Sequence, residues 1–100
     1  MIEISTSDPE GAKLLRQVAA EDPENIEDIS TDQMSGADVV TIVVENWGTL
    51  SAGAAGILVA LRHRHVKVGF TKDGIAISAS MSDELFRQAE ARARDPADDA

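Results

Sequence analysis

Apolar positions in this chain switch between a period of two and a period near 3.6, and each switch marks an element. Ile2 and Ile4 alternate with Glu3 and Ser5, which predicts a short half-buried strand. Asp8 followed by Pro9 is a favourable N-cap and first-turn pair. It opens a predicted helix through Ala20 whose inner face is Leu14, Leu15, Val18 and Ala19. EDPENIEDISTDQMSG reads as a polar connector with a weak strand at Ile26–Ile29. Val39 to Val44, VVTIVV, is an unbroken apolar and β-branched run of the kind found in strands covered on both faces. Asn46-Trp47-Gly48 ends it.

The next stretch, NWGTLSAGAAGILVAL, is free of charge over residues 46–61. It predicts a helix from Thr49 to His63, with Leu50, Ala54, Ile57, Leu58 and Leu61 on a bulky face. Gly48, Ala52 and Gly56 lie four apart and form a small-residue row suited to close helix contact. A helix that is apolar or small on every side has to be covered by its own domain or by another chain. Val66, Val68 and Phe70 then alternate with Lys67 and Gly69, and Asp73-Gly74 gives a hairpin turn. Ile75, Ile77, Ala79 and Met81 continue the alternation as a return strand, with Ala76, Ser78, Ser80 and Lys67 on the solvent side. Ser82 is the expected cap of a last helix over Asp83–Arg94, with acids in its first turn and Arg in its last.

These elements, strand–helix–(strand)–strand–helix–strand–strand–helix, predict one α+β domain over residues 1–94 and a disordered tail over 95–100. The simplest arrangement is a small mixed four-stranded sheet with helices packed mainly on one face. One apolar row of Val39–Val44 is then left facing outwards.

Charge sharpens this picture. The net charge is −9. Residues 1–45 hold 11 acids against 2 bases, whereas residues 46–100 are balanced with 7 of each. Arg62 to Lys72 carries four bases and no acid. A nucleic-acid surface needs Lys and Arg spread over a wide area, so this distribution argues against one. Residues 46–61 are too short for a membrane span, which takes about 20 apolar residues. The start, MIEISTSDPE, lacks the basic and apolar regions of a signal peptide. With no Cys, disulfide and thiolate chemistry are excluded, and a cytoplasmic location is expected.

Candidate chemistry fails on its own requirements. Thr49-Leu50-Ser51-Ala52-Gly53 lacks the first Gly of a nucleophile elbow, and a Ser51, His63, Asp38 set has no supporting motif. The glycines of GTLSAGAAG match neither a P-loop nor a dinucleotide fingerprint, so no cofactor is expected. His63 and His65 form an H-x-H pair, but at a helix end residues two apart diverge by roughly 200°. No further His or Cys is present to complete a metal site, and the pair reads as a cationic helix C-terminus.

The uncharged small-residue segment, the LRHR close of its helix, the V-x-V-x-F-T-x-D-G hairpin, the capped last helix, and the N-terminal strand with its DPE-initiated helix together resemble the effector-associated constant component, a small domain family of bacterial conflict systems. The long acidic connector and the Arg-His-Arg-His cluster depart from that pattern. The resemblance implies a non-enzymatic adaptor that couples to separately encoded effectors such as peptidases or nucleotide-driven regulators. It carries over no catalytic residues.

A non-catalytic interaction module is therefore the leading expectation. A self-assembling structural subunit comes second, and a small enzyme or ligand carrier third. The residues expected at a contact are Trp47, Gly48, Ala52, Gly56, Arg62, His63, Arg64, His65 and Lys67. The partner is a protein or a second copy, at least a dimer, with Trp47 near the contact and with association weakened by salt.

Overall fold

The elements form in the predicted order because each has a local reason to begin and end where it does. The structure is a computed structural model that describes residues 1–34 and 37–94. It contains β1 (Ile2–Thr6), α1 (Pro9–Glu21), β2 (Ile26–Met34), β3 (Ala37–Val44), a single 3₁₀ turn (Trp47–Thr49), α2 (Ala52–His63), β4 (Gly69–Lys72), β5 (Ile75–Ala76) and α3 (Ala79–Arg94). The tail expected over 95–100 lies outside the described residues. The carboxylate of Asp8 caps α1 by accepting from the N–H of Glu10 at 2.9 Å and of Gly11 at 3.4 Å. Ser51 caps α2 by accepting from Ala54 N–H at 3.2 Å. Asp73 and Gly74 both have positive φ, the requirement of the two-residue hairpin turn between β4 and β5.

The sheet has five strands in the order β2-β3-β1-β4-β5, all antiparallel, rather than four in a mixed sheet. The weak strand expected at 26–29 extends over nine residues as β2, because β3 offers it a full edge of backbone donors and acceptors. α1 joins β1 to β2 with β3 lying between them, and α2 joins β3 to β4 with β1 between them. These are two interlocked split β-α-β units, the ferredoxin-like arrangement, extended by β5 and α3.

Three boundaries differ from expectation. The helix predicted from Thr49 starts at Ala52, because Ser51 caps it and Asn46 accepts from Gly48 N–H to close a separate 3₁₀ turn before it. The β4 ladder starts at Gly69 rather than Val66, because the Val66 N–H is already donated to Leu61 C=O in the close of α2. The return strand is only Ile75–Ala76, and Ala79 and Met81 lie in α3. Ser78 Oγ accepts from Met81 N–H, and Ser82 sits inside the helix, donating to Ser78 C=O, instead of capping it. Leu85, Phe86 and Ala89 at helical spacing give α3 an inner face that a strand would forfeit.

The three helices form one layer. α1 and α3 both run antiparallel to α2 and flank it. Arg64 near the end of α2 pairs with Glu10 at the start of α1, while Gly53 lies against Glu21 at the end of α1. On the other side Arg62 pairs with Asp83 at 3.3 Å, and Arg92 Nε donates to Leu50 C=O at 2.9 Å. Beneath lies the core: Ile2, Ile4, Ile26, Val40, Ile42, Val44 and Phe70 from the sheet, facing Leu15, Val18, Leu50, Ala54, Leu58 and Leu61.

The row left facing outwards is Val39, Thr41 and Val43, and it exposes less apolar surface than the sequence suggests. Val43 is only 5% exposed, with Glu3 and Glu27 registered on either side of it. Nor is α2 bare on every side, since α1, α3 and the sheet cover three of its faces.

Candidate interaction surface

The expected contact residues separate into three places. Trp47 is buried inside the domain. Its indole N–H donates to Leu85 C=O at 3.1 Å, and its ring meets Phe70 edge-on at 6.3 Å. Phe70 in turn meets Phe86 at 5.4 Å, so all three aromatic residues of the chain form one cluster joining β4, α3 and the 3₁₀ turn. Trp47 is thus engaged within its own chain rather than displayed for a partner. Gly48 beside it is exposed and, with Trp47, Leu50 and Ala89, lines a cavity of about 490 Å³.

Ala52 and Gly56 lie on the outer ridge of α2. A Cβ built on Gly56 would meet nothing within 4 Å, so Gly56 makes no close helix contact among the described residues. Small residues here leave the ridge low instead of admitting a neighbour.

The basic segment divides as well. Arg64 turns to α1, and its guanidinium pairs with Glu10. His63 is exposed at the last turn of α2. Arg62, His65 and Lys67 come together around a groove of about 540 Å³ whose walls include Val66, Val68, Phe70 and Phe86. The Arg62 guanidinium lies over the Phe86 ring at 5.4 Å, and Asp83 is the acid at the rim.

The loop carrying His65 and Lys67 is fixed from several sides. His65 N–H donates to Arg62 C=O and Val66 N–H to Leu61 C=O, both at 3.1 Å. With His65 at φ 56°, this is a Schellman close with His in the left-handed position normally taken by Gly. Thr6 Oγ1, buried on β1, donates to Lys67 C=O at 2.8 Å and accepts from Asp8 N–H at 3.1 Å. Gly11 lets α1 approach the loop: a Cβ there would lie 2.5 Å from Val66 Cγ1. The imidazole of His65 and the ammonium of Lys67 make no hydrogen bond or ion pair with any described residue.

Sequence reasoning missed the residues that brace the opposite end of the molecule. The Asn25 side chain donates to Asn46 C=O and accepts from Asn46 N–H, both at 2.8 Å, extending the β2–β3 ladder by one side-chain rung. Asp22 accepts from Ser51 N–H at 3.2 Å, tying the end of α1 to the start of α2. Asn25 after a helix and before a strand was the available signal, since Asn readily mimics backbone pairing in turns.

Ser51 and His63 stand near opposite ends of α2, about 18 Å apart at 1.5 Å per residue, so they do not form a catalytic pair. Among the described residues no group of three or more His, Cys, Asp or Glu is placed to hold a metal ion. Nor is any helix among them long and apolar enough to cross a membrane. No protein-family model matches the chain, and no curated protein or solved structure matches it either.

Proposed function

We propose that this chain is a non-catalytic, cytoplasmic protein-interaction module of the adaptor kind, coupling to separately encoded effectors as in the conflict-system family it resembles. One observation carries the reading. A loop braced by hydrogen bonds presents two basic side chains, His65 and Lys67, that are unpaired among the described residues, over a groove with apolar walls, in a chain that is otherwise strongly acidic. Braced polar groups beside apolar wall area give a partner both orientation and buried surface. The ferredoxin-like arrangement by itself favours no function.

Co-expression with the products of adjacent genes, followed by size exclusion with light scattering, tests the proposal. The expected result is a stoichiometric complex of two different chains. A chain that elutes without a partner from every co-expression overturns it, and a homomer of fixed size points to self-assembly instead.

A further inference from the structure

We infer that the groove between the 65–68 loop and the first turns of α3 receives an acidic segment of a partner protein, a short stretch of carboxylates interrupted by large apolar side chains. The inference rests on the reading of the chain as an interaction module and adds the chemistry of the partner.

Charge decides the sign of the occupant. Three cationic or protonatable groups, Arg62, His65 and Lys67, line the groove against one acid, Asp83, and Arg62 already holds that acid at 3.3 Å. Residues 62–72 include four Lys and Arg and no acid, while residues 1–45 carry 11 acids against 2 bases. An acidic segment is therefore repelled by the acidic 1–45 part of the chain and attracted here, which fixes where and how it lands. A basic segment would be drawn to the other half of the chain.

The walls decide the second half of the chemistry. Val66 and Val68 face the groove half-buried, with only the edges of the buried Phe70 and Phe86 rings beside them, and a volume of about 540 Å³ accommodates a few side chains, not a folded domain. Carboxylates alone would leave these walls wet. Leu- or Phe-sized side chains between the carboxylates would cover them. A nucleic acid fits less well, because its phosphates continue past the groove into the field of a chain of net charge −9. The cavity of about 490 Å³ beside Trp47 lacks this combination, since its cation, Arg92, donates to Leu50 C=O.

Fluorescence anisotropy on the intact chain tests the inference. The probe is a fluorescein-labelled dodecapeptide of Glu and Asp interrupted by two Leu and one Phe. Controls are its Lys-for-acid counterpart, its Ser-for-apolar counterpart and an oligothymidylate of equal length. The acidic apolar peptide is expected to bind, about tenfold more tightly than the Ser version, and to weaken about tenfold between about 50 and 500 mM salt. Lys67→Glu, at an exposed side chain without a partner among the described residues, should weaken binding about tenfold. Asp83→Asn should tighten it about threefold by releasing Arg62. A gain of binding of that kind is not produced by damage to the fold. The inference is overturned if the acidic peptide does not bind, if Lys67→Glu leaves binding unchanged, or if the basic peptide or the oligothymidylate binds as well. Its failure is separable from that of the adaptor reading. A co-expressed complex that survives Lys67→Glu removes the groove and keeps the module. Peptide binding without any co-expressed partner keeps the groove and removes the adaptor.

Discussion

Gly11 in α1 and Gly56 in α2 look equivalent in the sequence and are opposites in the fold. Gly11 is buried, and a Cβ there would press on Val66 Cγ1 at 2.5 Å and on Thr6 Oγ1 at 3.0 Å. Gly56 stands on an outer ridge where a Cβ would touch nothing within 4 Å. The periodic small residues that attract attention in the sequence do not share one face: Gly48 lies in the 3₁₀ turn beside Trp47, and Gly56 on α2 packs on nothing among the described residues. The isolated glycine in the first turn of α1 is the one that builds the candidate site, by letting the helix reach the loop that carries Lys67. Spacing identifies a face; only the tertiary fold shows whether anything lies against it.

The deepest contrast with the outer ridge of α2 is its own inner side. Leu58 is fully buried two residues beyond Gly56, so Leu58→Ala should cost about 2–5 kcal/mol in urea unfolding. A loss below about 1 kcal/mol would mean that α2 does not face the sheet as described. Next comes Gly11→Ala, expected to destabilise by about 1–3 kcal/mol because the added methyl collides with Val66 and Thr6. The pair Gly11→Ala with Val66→Ala should cost less than the two single changes together, since the second removes the atom the first strikes. Strict additivity would show that the two residues do not touch.

The parts legible in the sequence were those set by local period. The alternation of Ile2 and Ile4, the Asp8-Pro9 start, the VVTIVV run and the Asp-Gly turn each name an element with little help from the rest of the chain. Strand order was not legible. Nothing local tells β1 to lie between β3 and β4, because that choice depends on burying Ile4 against Ile42 and Phe70 across long separations. The return strand forms but is shorter than its alternation suggests, for a related reason. Ile75, Ile77, Ala79 and Met81 satisfy a period of two, but Leu85, Phe86 and Ala89 give the helix a buried face, and burial outranks alternation where Ala79 and Met81 are exposed. Of the candidate site, the basic composition of 62–67 could be read directly. Its division could not: Arg64 leaves for Glu10, while Arg62, His65 and Lys67 share a groove. Leu61 and Val66, an apolar pair bracketing a polar helix end, were the available sign of a Schellman close.

The open ridge gives a smaller effect of opposite sign. Gly56→Ala should stabilise the chain by about 0.5–1 kcal/mol, because Gly in a helix interior carries a backbone entropy cost that Ala avoids and the methyl has room. Gly56→Leu should likewise fold normally. Destabilisation by Gly56→Ala, or a change of oligomeric state with Gly56→Leu, would show that the ridge is a contact surface after all and would overturn the contrast with Gly11.

The smallest effect is expected at His65, where two backbone terms oppose each other. Its φ of 56° places a side chain in the left-handed region, which costs roughly 1–2 kcal/mol in a non-glycine residue. His65→Gly removes that cost and also enlarges the conformational freedom of the unfolded chain, which returns about 0.5–1 kcal/mol. The net gain should be about 0.5 kcal/mol. His65→Ala retains the left-handed cost and should fall below His65→Gly by the same margin of about 0.5 kcal/mol, a difference within reach of paired denaturant midpoints. If Ala and Gly prove equally stable, the left-handed close is not formed in solution. The loop that holds Lys67 over the groove would then lose the brace on which the candidate site depends.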